Sequence, residues 1–258
     1  MALSAQDPSH GGESMNLHRT SLALGIASFA AACAGGPAAS SGSAPGVPTA
    51  SSTDVSDREC PDSYLVDDAE DDNNQVLVRG GRSGYWYTFV DKAGSSITPP
   101  AQITFLMSPG GATGSKYAAR MMGKVATSGQ PLFAGMGFSF TDPKAAYDAS
   151  AFSGVSFYAK TGAGSTTTVR LKVPDVATDP AGKVCSECFN DFGVDLILSQ
   201  EWKKHVVAFA AMKQMDGWGA PHPAAIDKSK LYGLQWQVTE PGASYDVWID
   251  RVAFTGCP

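Results

Sequence analysis

From residue 63 onward, apolar positions recur at every second residue over short runs, and each run ends in a cluster of Gly, Pro, Asp or Ser. A period of two sends successive side chains to opposite faces of an extended chain, so the pattern predicts strands and not helices. Strands are predicted at Tyr64–Ala69, Gly84–Phe89, Ile103–Met107, Tyr117–Val125, Ala134–Phe140, Gly154–Lys160, Thr167–Val173, Val194–Leu198, Lys204–Ala210, Gly233–Val238 and Tyr245–Phe254. Between them stand SPGGATGS, TSGQP, KTGAGS, VPDVATDPAGK and EPGAS, each built from turn formers. Only Met212–Trp218 and Pro223–Leu231 read as helical turns. Many short strands with this punctuation predict an all-β fold, a two-sheet antiparallel β-sandwich of jelly-roll type occupying residues 60–258.

The same alternation assigns faces. In TTVRLKV, inward Val169, Leu171 and Val173 send Arg170 and Lys172 outward; in LQWQV, inward Leu234, Trp236 and Val238 send out Gln235 and Gln237. In GVSFYAK, Tyr158 faces outward beside Ser156 and Lys160. The run GYWYTF places Tyr85, Trp86 and Tyr87 in succession, so either face of that strand receives an aromatic. If these strands share a sheet, one open face combines flat rings with planar hydrogen-bonding groups. Saccharides need that combination: a ring stacks on the apolar C–H face of a pyranose, and Arg, Asn, Gln and carboxylates engage its hydroxyls. The candidate ligand residues are therefore Tyr85, Trp86, Tyr87, Tyr158, Arg170, Gln235 and Gln237. Outward Gln and Tyr also occur on sandwiches that bind nothing.

The first 59 residues differ in kind. From Met15, a possible true start, the chain carries Arg19 and then an apolar stretch from Leu22 to Ala32. That stretch is too short to span a bilayer as a helix and reads as the core of a signal peptide. Ala30, Ala31 and Ala32 lead into Cys33 in a segment that resembles a bacterial lipobox, which implies lipidation of Cys33 and removal of residues 1–33. Residues 34–53 are Ala, Gly, Pro, Ser and Thr apart from Val47, so residues 34–59 read as a disordered tether. An exported, membrane-anchored protein of the cell envelope is expected, with the outer membrane as its site. Export places Cys60, Cys185, Cys188 and Cys257 in an oxidising space, where an even number favours disulfides. The pairs expected are Cys60–Cys257, because domain ends often lie together, and Cys185–Cys188. A redox CxxC and a zinc site remain as alternatives, although CSEC leads into a polar turn and only His205 and His222 stand near enough in sequence to complete a zinc set.

Charge and composition narrow the function classes. The formal charge is −6, and 18 basic against 22 acidic residues follow position 56, so no basic surface for nucleic acid is implied. With 28 Gly and 16 Pro, a helical bundle is excluded. There is no G-x-S-x-G, no H-E-x-x-H and no dinucleotide fingerprint; GGATGSK has the wrong spacing for a phosphate loop. His205 in WKKHVVAF reads as a strand residue, not a general base.

The blocks LVDDAEDDNNQ, GRSGYWYTFVD, GSKYAARM, YDASAFSGVSFYAK and YDVWIDRVAF occur in this order along Tyr64 to Phe254. In that order the chain resembles family 11 carbohydrate-binding modules and their bacterial lipoprotein relatives, within the galactose-binding-like jelly rolls. The resemblance implies binding of β-1,4- or mixed-linkage β-glucans on a concave sheet, with Tyr158 and Arg170 at the ligand, and no catalysis. It also implies a structural Ca²⁺ held by Asp68 or Glu70, the Ser115, Lys116 and Tyr117 backbone, and Asp250; calcium takes six to eight oxygens. Arg251 departs from the pattern and offers Asp68 an ion-pair partner in place of the metal. The expectation is a monomeric, membrane-tethered, non-catalytic module for a polysaccharide or oligosaccharide. A protein-docking scaffold and an accessory subunit of a glycan hydrolase are the other readings.

Overall fold

A computed structural model describes residues 60–71 and 73–257. The expected export signal, the expected lipidation at Cys33 and the expected tether over 34–59 lie outside the described residues. Twelve strands form among the described residues: β1 (Leu65–Asp67), β2 (Trp86–Val90), β3 (Ser96–Thr98), β4 (Ser108–Pro109), β5 (Tyr117–Lys124), β6 (Ala134–Ser139), β7 (Gly154–Thr161), β8 (Thr168–Val173), β9 (Phe192–Ile197), β10 (Lys203–Ala208), β11 (Gly233–Val238) and β12 (Ser244–Thr255). They pair antiparallel into two sheets. One has five strands in the order β2-β6-β11-β8-β9; the other runs β10-β7-β12-β5-β3, with β1 against β12 and β4 against β5.

The inward residues of both sheets make one core. Trp86 of β2 stacks on Trp236 of β11, with ring centroids 5.7 Å apart, while Phe138 and Phe157 meet these indoles edge-on. A second aromatic group fills the opposite end, where Phe254 lies 4.3 Å from Phe152 and 5.7 Å from Phe140. Each such ring contributes roughly 1.5–3 kcal/mol through burial alone. Beneath Trp86 lies a buried carboxyl: Asp67 accepts the Trp86 indole N–H and the Ala69 backbone N–H. Burial outweighs those donors and pushes the Asp67 carboxyl up to about 7.

Several expectations are corrected. The segment 103–107 is not a strand; Ile103 and Leu106 are exposed, and only Phe105 enters the core, where it stacks on Trp86. The unforeseen β3 and β4 have two or three residues each, too few for a period to register. Among the described residues the helical turns are single 3₁₀ turns at Asp62–Tyr64, Pro180–Gly182, Phe209–Ala211 and Lys228–Lys230; the last lies in the expected segment Pro223–Leu231, capped by Asp227, which accepts from Ser229 N, whereas none forms within Met212–Trp218. Cys185 and Cys188 are disulfide-bonded as expected. The two ends of the described domain also meet, but through a hydrogen bond and not the expected disulfide: the Cys257 backbone N–H donates to Cys60 Sγ at 3.1 Å.

Candidate functional site

The outer face of the five-stranded sheet is organised in two rows by strand register. One row joins Tyr87, Gly137, Gln235, Lys172 and Gly193; the next joins Phe89, Gly135, Gln237, Arg170 and Asp195. Strands repeat every 4.7–4.9 Å, so each row spans roughly 19 Å. One end of the rows is aromatic and the other carries charge.

At the aromatic end, the rings of Tyr87, Phe89 and Phe133 follow one another with centroids 6.1 Å apart. A Cβ on Gly135 would stand 2.2 Å from Phe89 Cζ, so the missing side chain is what lets the Phe89 ring lie against β6. The Tyr87 hydroxyl accepts a bond from Gln235 Nε2 at 2.9 Å. Burial first, and the Asp179 and Asp191 carboxylates in addition, push the Tyr87 phenol up to about 12, so it remains a neutral O–H.

At the charged end, a Cβ on Gly193 would lie 3.2 Å from Arg170 Nε. Arg170 therefore lies along the β9 backbone, donating to Asp195 Oδ1 (3.0 Å) and to the Lys213 carbonyl (2.7 Å). The guanidinium is fixed in place, with N–H groups in excess of these two bonds. Asp195 is largely exposed and keeps acceptor capacity toward solvent. Lys172 is outward by alternation yet only 7% exposed, because Asp191 pairs with its Nζ at 2.9 Å. Segment 174–191 thus closes over this side of the face. The disulfide staples it, and Glu187 pairs with Ala220 of a second loop that displays the exposed Met215 and Trp218.

Of the sequence candidates, Tyr87, Arg170, Gln235 and Gln237 come together on this face. Tyr85 is exposed one residue before β2 and has the same parity as Tyr87. Trp86 is not a ligand residue: it is 3% exposed in the core. Tyr158 does not join Arg170 either, because β7 belongs to the seven-stranded sheet, where Tyr158 pairs with Lys204 and Asp250. Phe89, Phe133 and Asp195 were not anticipated, although Phe89 shares its parity with Tyr87.

The residues expected to hold calcium meet N–H donors instead. Glu70 Oε1 accepts from Lys116 N and Tyr117 N, while Asp250 accepts from Ala112 N and Arg251 N. Asp68 accepts from Glu70 N. Among the described residues no three His, Cys, Asp or Glu side chains converge on a metal position. The donor set therefore does not fit the ion. Arg251 is not paired with Asp68; among the described residues its guanidinium makes no ion pair. His205 is a strand residue as expected: its ring stacks on Phe157, and burial pulls its pKa down.

No family model matches the sequence, and no curated protein matches it. Solved structures do. The family 11 carbohydrate-binding module of the cellulosomal cellulase Lic26A-Cel5E of Clostridium thermocellum is similar over 75% of this chain and 94% of its own, with TM-score 0.52 and 13% identity. A family 11 module from the same organism, in complex with a β-1,3-1,4-mixed-linked tetrasaccharide, matches over 67% and 89% with TM-score 0.49 and 13% identity. The family 30 module of the cellulosomal cellulase Cel9D-Cel44B of that organism matches over 66% and 90%, with TM-score 0.45 and 8% identity. The first likeness shows the fold alone: an antiparallel jelly-roll sandwich, shared with that module.

Proposed function

We propose that the domain is a non-catalytic glycan-binding module whose ligand lies across the outer face of the five-stranded sheet. The observation that carries this reading is the register that sets Tyr87 and Phe89 at one end of two rows, and Gln235, Gln237, Arg170 and Asp195 along them. Rings stack on pyranose C–H faces, and planar side chains prefixed by the sheet bond the hydroxyls without further ordering. Within the two rows Asp195 is the sole carboxylate, whereas hydrolysis of a glycosidic bond uses a pair. The fold shared with a family 11 module of a cellulase supports a β-glucan as ligand.

The test is calorimetric titration of the chain with mixed-linkage β-glucan oligosaccharides. Arg170→Ala and Phe89→Ala, with unchanged circular dichroism, should each weaken binding at least tenfold. Binding unaffected by both variants would refute the site; no binding of any β-glucan by the parent chain would refute the ligand. We also propose that a lipid on Cys33 tethers the module to a membrane, supported by the apolar stretch before it and the Ala/Gly/Pro/Ser/Thr tether after it. Detergent-phase partitioning of the parent chain, lost in Cys33→Ser, tests the anchor.

A further inference from the structure

The rows of the five-stranded sheet continue past its last strand. Gly193 of β9 and Lys213 exchange backbone hydrogen bonds of 3.0 and 2.9 Å, so the row that runs from Tyr87 to Gly193 reaches a further segment. The Lys213 carbonyl is also the acceptor that Arg170 meets at 2.7 Å. From there residues 213–220 form a loop at the charged end of the rows, turning through Gly217 (φ +85°) and Gly219 (φ +83°).

This loop and the neighbouring segment 183–190 are bound to each other by their polar groups. Asn190 donates from Nδ2 to the carbonyls of Met215 (2.7 Å) and Trp218 (2.5 Å), and its Oδ1 accepts from Met215 N (2.9 Å). The Glu187 carboxylate accepts from Gly219 N at 3.0 Å, and its backbone pairs with Ala220. A Cβ on Gly219 would stand 2.6 Å from Asn190 Cβ, so the close approach of the two loops needs that glycine. With the Cys185–Cys188 disulfide added, the fold itself fixes both loops, which lowers the ordering cost of any ligand they meet.

What the fixed loops display is apolar. Met215, Trp218 and Phe189 are left 49%, 44% and 60% exposed while the polar groups around them are turned to one another. Phe189 also takes φ +76°, which a bulky L-residue adopts only where its surroundings impose it. Its N–H donates to the Thr178 carbonyl and its carbonyl accepts from Lys172 Nζ, itself a member of the outward row. Core packing accounts for neither exposed ring. The 213–220 loop also exposes Lys213 and Asp216, so one loop carries an indole, an ammonium and a carboxylate. That is the set a pyranose uses: a flat ring for its C–H face and charged arms for its hydroxyls. Because the loop continues the row past Arg170, the occupant it fits is the same chain of sugars.

We propose that these loops form an outlying sugar subsite, in which the Trp218 ring stacks on a pyranose unit beyond Arg170 and Phe189 on the adjoining loop widens the apolar platform. The module then prefers long β-glucan chains to short ones. This inference rests on the glycan reading of the five-stranded face and extends it to chain length.

The test is calorimetric titration of the full chain with a mixed-linkage β-glucan tetrasaccharide, comparable in length to a row, and with an octasaccharide that overhangs it. The parent should bind the octasaccharide about fivefold tighter, on the order of one exposed ring stack. Trp218→Ala keeps the backbone carbonyl that Asn190 binds, and Phe189→Gly suits the left-handed backbone, so both should retain the circular dichroism of the parent. Each should bind the tetrasaccharide as the parent does and lose most of the octasaccharide gain, whereas Arg170→Ala should weaken both ligands. A gain that persists in Trp218→Ala, or an equal weakening at both lengths, overturns the subsite. A parent that binds both lengths equally overturns the subsite alone; a parent that binds neither overturns the glycan reading and the subsite with it.

Discussion

Asp67 ties the proposed glycan face to the core, because it holds the indole of Trp86, and Trp86 is the inward residue of the strand that presents Tyr87 and Phe89 outward. Its carboxyl is raised from 3.8 to about 7, first by burial. For an acid raised on folding, the folded state takes up its proton more readily than the unfolded one. The associated stability is complete below the unfolded value and is lost as pH rises through the folded value. At about 1.4 kcal/mol per pH unit the full loss is on the order of 4 kcal/mol, of which roughly 3 falls between about pH 4.5 and about pH 8. Asp67→Asn keeps one acceptor oxygen, for either the Ala69 or the Trp86 N–H, and removes the titration; the bond lost to the other donor shifts the variant's stability by an amount that does not vary with pH. Asp250, raised to about 6 chiefly by burial, acts in the same direction, and buried His205 acts oppositely below its ordinary pKa. Both remain in the variant and cancel in the difference. Urea unfolding of both proteins across this range should show the variant gaining roughly 3 kcal/mol on the parent as pH rises. Parallel stability curves would refute the assignment of a buried, protonated Asp67.

Gly135→Ala places a methyl carbon 2.2 Å from Phe89 Cζ, far inside contact distance, so the ring must leave β6. Glycan affinity should fall while the unfolding temperature changes little, and a variant that binds as the parent does would remove Phe89 from the site. Calcium and EDTA should each leave the unfolding temperature unchanged, because Glu70 and Asp250 are already satisfied by backbone N–H groups; a shift of several degrees on adding calcium would show that these oxygens can turn toward a metal. Cys60 and Cys257 touch across 197 positions of chain, so controlled oxidation should join them, detectable as a loss of two hydrogens by mass spectrometry. The cross-link should raise stability by at most about 5 kcal/mol on loop entropy. Oxidation that leaves both thiols alkylatable would show the contact to be wrongly placed for a bond.

Alternation proved informative about faces and silent about sheets. In β8 and β11 it put Val169, Leu171, Leu234 and Trp236 inside, and consequently Arg170, Gln235 and Gln237 outside, as observed. The same reasoning put Tyr158 outside, also correctly, yet β7 pairs with β10 and β12 and never with β8, so this ring faces away from Arg170 on the far side of the molecule. A period of two states which side of its own strand a residue occupies; which strands are neighbours depends on pairings between segments a hundred residues apart, and no local pattern encodes them. The GYWYTF run shows the same limit in smaller form. Its three successive aromatics, Tyr85, Trp86 and Tyr87, were equivalent until Trp236 and Phe105 supplied partners for Trp86, after which parity alone delivered Tyr87, and Phe89 with it, to the proposed glycan face. Lys172 adds a further layer, since its outward position was legible and its burial was not: the loop carrying Asp191 folds back over it.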